Sequence, residues 1–168
     1  LKKALVAIFF GYILLLIETA LGPLFQFGQI RLDGLVPLIA WYGLQYSLPG
    51  GILAVLGLGI LSEQLSAMPA GLYALAYASE YLMIRYILNH IVCAAAWQQM
   101  VLVSFLSIEV MAVLLIGNGA AELLWPWGFA QALLNGILAP FWFFVFDKAN
   151  SVIFSEGPRL GVKEHSEV

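Results

Sequence analysis

Residues 97–116 read WQQMVLVSFLSIEVMAVLLI, with Glu109 as their single charge. At about 1.5 Å of rise per residue, such a stretch makes a helix about 30 Å long, the thickness of a bilayer's hydrocarbon core. The run exceeds the roughly 9–11 residues of a membrane-barrel strand and lacks alternation, so a helix is expected.

The same pattern recurs on both sides of it. The chain has 168 residues, of which 62% are hydrophobic and 10% charged. Soluble domains carry roughly 45–50% apolar and about 25% charged residues, so the composition points to a bilayer as solvent. Further apolar runs at 4–22, 34–47, 52–65, 70–88 and 129–146 complete an all-α integral membrane bundle of six transmembrane helices in one domain, 1–154. Residues 155–168 form a polar tail, expected to be disordered and cytoplasmic. Lys2-Lys3 followed by an apolar run imitates a secretory signal. That run continues to Leu24, past the 7–15 residues of a signal core, and is read as an uncleaved first span.

Punctuation falls between these runs. Gly22-Pro23, Leu48-Pro49-Gly50-Gly51 and Ser66-Ala67-Met68-Pro69 read as turns, and 117–128 as a loop. Asp33 is placed to cap the second span, with Pro37 tolerated in its first turn. Pro140 is expected to kink the last span, and Gly136, four residues back, is the residue best able to absorb the ring.

Basic residues set the orientation. Six spans put Lys2, Lys3, Arg85, Lys148, Arg159 and Lys163 on one side and only Arg31 on the other. Positive residues mark the cytoplasm, so both termini are expected there, with loops 23–33, 66–69 and 117–128 outward. Trp41, Tyr42, Tyr46 and Trp97 are expected in the inner aromatic belt, and Phe25, Phe27, Trp125 and Trp127 in the outer one. No basic patch exists, so a nucleic-acid partner is not expected; membrane lipid is. Cys93 is the only cysteine, which leaves no disulfide or cysteine metal cluster within one chain and reads as small apolar filler.

Acids inside spans are costly, about 2.5–3.5 kcal/mol at mid-bilayer, so they face the protein interior, pair or protonate. Glu18 and Glu63 fall near outer ends of spans, and Asp147 near an inner end beside Lys148, where solvation is expected. Glu80 and Glu109 lie deeper. Tyr73, Tyr77, Tyr81 and Arg85 continue the face of Glu80, so phenol hydroxyls are expected to reach its carboxyl. A structural hydrogen-bond network and a proton or ion path through the two acids are both consistent with these positions.

Two ladders of small residues, Ala70, Ala74, Ala78 and Gly128, Ala132, Gly136, have the four-residue spacing that lets helix backbones approach. They suit packing within the chain, or docking of a second protein or a second copy. No enzyme or cofactor site is expected. His90 and His165 are lone, the serines lack a histidine-and-acid framework, and Gly57-Leu58-Gly59 lies in an apolar span rather than between strand and helix.

An ordered series of local patterns resembles the rod shape-determining protein MreD family over about residues 5–150. The first span ends in Glu18-Thr19-Ala20-Leu21, and Arg31-Leu32-Asp33-Gly34-Leu35-Val36 enters a second span that closes around Tyr42-Gly43. A glycine-rich third span, Gly57 to Ser66, carries Glu63 before the turn to Pro69-Ala70-Gly71-Leu72. Glu109 marks the fifth span, and Ala139-Pro140 leads to Asp147-Lys148 in the last. Glu63 stands where aspartate is commoner in the family, and Gly34 where an aliphatic residue is commoner.

The resemblance implies a non-enzymatic scaffold of the bacterial elongation machinery in the inner membrane. Such a protein binds MreC and, through it, connects MreB filaments to peptidoglycan synthesis by RodA and its penicillin-binding partner. It also implies a fold similar to the substrate-binding subunits of energy-coupling-factor transporters. Arg31, Asp33, Glu63, Glu80 and Glu109 are the candidate polar sites for a partner or for structure. The alternative is a solute-binding subunit for a vitamin. It requires an outward cavity under loops 23–33 and 66–69, where aromatic residues and acids converge. Ala4, Ala7 and Gly11 give only an irregular version of the small-residue spacing expected on the first span of such a subunit.

Overall fold

The computed structural model describes residues 2–21, 26–27, 30–31, 33–46, 48–66, 68–88, 95–120 and 125–154. Cys93, His90, His165 and the 155–168 tail lie outside the described residues. Six helices follow in chain order: α1 (Lys2–Leu21), α2 (Leu35–Gln45), α3 (Leu48–Gln64), α4 (Leu72–Leu88), α5 (Ala96–Gly117) and α6 (Trp127–Phe154). Between α1 and α2 the backbone pairs briefly, β1 (Gln26–Phe27) antiparallel to β2 (Ile30–Arg31). The fold class is otherwise helical throughout the described residues.

Two helices are long and apolar enough to cross a membrane. They are Ala96–Gly117, with mean hydropathy 2.4, and Trp127–Val152, with mean hydropathy 1.6. Three shorter apolar segments, Ile8–Ala20, Leu35–Gln45 and Pro49–Gln64, accompany them.

The bundle is built around α2. All five other helices touch it, and Leu35 to Gly43 are buried without interruption. Its 11 residues rise only about 16 Å, half the thickness of a hydrocarbon core. The expected span at 34–47 is therefore corrected to a half-height helix. Its start is marked by Gly34, where an added methyl would stand 3.1 Å from Leu14 of α1 and 3.2 Å from Trp142 of α6. Both contacts lie well inside their helices, so α2 begins below the end of the bundle.

The bundle has an apolar core with a few buried polar residues and, unlike a water-soluble one, an apolar outer face as well. Glu80, Ser107 and Asn135 are buried in the core, and Asn135 Nδ2 donates to Ser107 Oγ at 3.1 Å. Outward positions carry Phe9, Leu53, Leu82, Phe105, Ile137 and Phe144, with Phe144 68% exposed. Soluble proteins keep lysine, glutamate and arginine on the surface and aliphatic residues within.

Close helix contacts use small residues. A methyl added to Gly59 of α3 would stand 2.5 Å from the Ala74 Cα of α4, so Ala74 belongs to an internal seam. Gly136 of α6 abuts Ser104 and the Met100 carbonyl of α5. Its lack of a side chain thus serves the α5–α6 contact as well as the Pro140 ring. Ala132 is fully buried and Gly128 is buried. Ala78 is half-buried on α4, whereas Ala70 lies in the turn before α4 and is exposed.

Two further expectations are revised. Leu48-Pro49-Gly50-Gly51 is the first turn of α3, not a separate turn. Pro49 suits that position because a helix's first amides have no intrahelical acceptor. Trp41 and Tyr42 are buried in the core, at 6% and 4% exposure, rather than in an interfacial belt, whereas Trp97, Trp125 and Trp127 are exposed near helix ends.

Candidate functional site: the capped central helix and the cavity above it

A buried helix leaves amides at its start and carbonyls at its end without intrahelical partners. At the start of α2, Asp33 Oδ1 accepts from the amides of Leu35 at 3.0 Å and Val36 at 3.4 Å. The Glu18 carboxylate, from the last turn of α1, accepts the Gly34 amide. At the other end, Arg85 Nη1 donates to the carbonyls of Gly43 at 3.3 Å and Tyr46 at 3.4 Å, and the Tyr81 hydroxyl donates to Tyr46 O at 3.2 Å. Acids at the start and a guanidinium at the end oppose the helix dipole. The capping role expected of Asp33 is present, and Glu18 and Arg85 add to it from other helices.

The C-terminal part of α2 is tied to α6. Trp41 Nε1 donates to Asp147 Oδ1 at 2.7 Å, and the Tyr46 hydroxyl to Asn150 Oδ1 at 2.8 Å. Asp147, expected to be solvated, is half-buried and also serves as the acceptor for a buried indole.

Glu63 takes a similar part at α4. Its Oε1 accepts the Ala74 amide at 3.0 Å, and the Gly71 and Tyr73 amides also point to its carboxylate. An acid from the end of α3 caps the start of the next helix. Glu109 Oε1 accepts from the Ser79 hydroxyl at 2.6 Å across the α4–α5 seam. Arg31 sits in β2, with its backbone opposite Gln26.

Glu80 differs from all of these. It is fully buried, and neither carboxyl oxygen has a hydrogen-bond partner. The expected phenol contacts do not form: Tyr81 is engaged with Tyr46, and neither Glu80 oxygen accepts from Tyr73 or Tyr77.

Because α2 fills only half of its column, the other half is a cavity of about 220 Å³. All six helices contribute to its wall, with Glu18, Asp33, Ser62, Ser66, Tyr73, Tyr77 and Gln131 as polar groups and Leu15, Leu35, Met111 and Leu114 among the apolar ones. It lies beside the described part of the 23–33 loop and below the 66–69 turn. Sequence reading did not single out Thr19, Ser62, Ser66 or Gln131 as site residues, although the first three fall within the family-like patterns. Their shared signal is a polar residue within a few positions of a span end, always at the same end of the bundle.

Among the described residues, no three His, Cys, Asp or Glu side chains gather as metal ligands. The arrangement can accept hydrogen bonds and hold a small polar group against two phenol rings. Compared with protein-family models, curated proteins and solved structures, the chain matches none.

Proposed function

We propose that this chain is a multi-pass membrane scaffold of the bacterial elongation machinery, of the MreD type, which binds MreC in the inner membrane. The observation that carries this reading is convergence. The patterns that resemble the family are far apart in sequence, yet Glu18, Asp33, Gly34 and Asp147 all meet α2, and Ser62 and Ser66 face the cavity above it. A series of residues gathered on one buried helix is a unit rather than a coincidence of composition.

The extensive exposed apolar surface supports a multi-pass bundle surrounded by lipid. Arg85 and Lys148 lie at the end opposite the cavity, which supports cytoplasmic termini and an outward cavity. In this reading the cavity rim and adjoining loops receive the part of MreC just outside the membrane. MreB, RodA and a penicillin-binding protein are reached through MreC.

Affinity-tagged chain, extracted from its host in mild detergent, is expected to bring down a single-span coiled-coil protein, and loss of the gene is expected to round the cells. Recovery without such a partner, from cells that stay rod-shaped without the gene, would contradict the proposal.

The cavity itself favours a second reading, a solute-binding subunit of the energy-coupling-factor type. Its position under the two outward loops and its mixture of tyrosines and acids meet the requirement set by that reading. Saturable thermal stabilisation by one vitamin would select it over the scaffold.

A further inference from the structure

Glu18, Asp33 and Glu63 accept backbone amides, Asp147 accepts an indole, and Glu109 accepts a serine hydroxyl. Each of these acids has a structural use. Glu80 has none, although it is fully buried. It lies three residues beyond Tyr77 on α4, so it shares that face one turn deeper, and Tyr77 lines the cavity. The charged groups acting on Glu80 are Asp33, itself in the cavity wall, and Glu109 of α5. Both are acids. Arg85, five residues on, directs Nη1 to the carbonyls of α2.

A second orphan lies in the wall. Ser66 Oγ is buried without a partner. The rings of Tyr73 and Tyr77 stand side by side there, 5.6 Å apart between centroids and inclined at 59°. Phenol faces attract an organic cation within about 6 Å. The volume is below the roughly 300–1,000 Å³ of drug-sized sites.

We propose that the cavity above α2 binds a small organic cation, an amine held against Tyr73 and Tyr77, with Ser66 as a hydrogen-bond partner and Glu80, which lies one turn below the cavity wall rather than in it, as the buried counter-charge. An unpaired buried acid is costly, and an ammonium ion brought close to it offsets that cost. The inference rests on the solute-binding reading and names the class of its ligand.

Purified full-length chain in nanodiscs is titrated with tyramine, with neutral 4-ethylphenol and with 3-(4-hydroxyphenyl)propionate, which keep the ring and change the charge. Saturable stabilisation by tyramine is expected, at least tenfold tighter than by the neutral probe, with none by the anion. Glu80→Gln is expected to weaken tyramine at least tenfold while leaving 4-ethylphenol unchanged, and Ser66→Trp to block both. If all three probes bind alike and Ser66→Trp blocks them, the cation class is overturned while a solute site stands. If Glu80→Gln folds and leaves tyramine affinity unchanged, the role of Glu80 is overturned. If no probe binds wild-type chain, the cation site is overturned, while the solute-binding reading is decided separately by the vitamin titration.

Discussion

The indole of Trp41 donates to the carboxylate of Asp147 at 2.7 Å, joining the buried central helix to the last helix across 106 positions of sequence. This bond puts the largest aromatic residue of α2 inside the bundle and gives an acid near the end of α6 a partner. Asp147→Ala leaves the indole N–H unpaired. Double-mutant cycles within membranes average about 0.6 kcal/mol for such contacts, with a maximum near 1.7. Combining Asp147→Ala with Trp41→Phe is expected to give a coupling energy in the upper part of that range, read from unfolding in mixed micelles. Strict additivity would show that the bond contributes nothing.

Glu63 predicts a local effect. Glu63→Ala removes the acceptor at the start of α4 and is expected to cost about 0.5–2 kcal/mol, as loss of a helix cap does. Hydrogen exchange should quicken at the Ala74, Tyr73 and Gly71 amides, while the α5–α6 seam stays protected. Glu63→Asp, the residue commoner in the family, should retain part of the protection.

Arg85 predicts a contrast between charge and geometry. Arg85→Lys keeps a cation at the end of α2 but loses the longer, planar guanidinium whose Nη1 reaches both Gly43 and Tyr46. Lysine is expected to recover part of the stability lost in Arg85→Ala, with thermal midpoints ordered arginine, lysine, alanine. Equal midpoints for lysine and alanine would show that charge alone does not matter there.

Ala74 faces Gly59 in the seam between α3 and α4. Ala74→Leu is expected to destabilise the isolated chain by about 1–3 kcal/mol, the usual cost of overpacking. Leu75→Ala, one position away and 61% exposed, is expected to change stability little. Thermal unfolding of both variants separates an internal seam from a surface reserved for a partner.

The helices were legible because apolar runs bounded by Gly, Pro and charged residues need no knowledge of neighbours. The cap by Asp33 was legible too, since donor and acceptor are two and three residues apart. The inward faces were not. A helix with apolar residues all round carries no periodic signal, so nothing in the Trp41-Tyr42 pair distinguishes core from interface. The partners of Glu18, Glu63 and Asp147 lie 11 to 106 residues away and depend on how helices meet. The short run 34–47 was a clue that it is half a span. The cavity follows from that length, but only once the level at which α2 begins is known.

The account depends on lipid covering the outward apolar face. Single cysteines in a Cys93→Ser background, probed in intact spheroplasts with a membrane-impermeant maleimide, test it directly. Thr19, Ala70 and Trp125, exposed at the cavity end, are expected to react. Leu82, Phe105 and Ile137, more than half exposed on the bundle but at mid-height, are expected to stay unlabelled until detergent is added. Labelling at Leu82, Phe105 and Ile137 as fast as at Trp125 would contradict a bundle embedded in a bilayer.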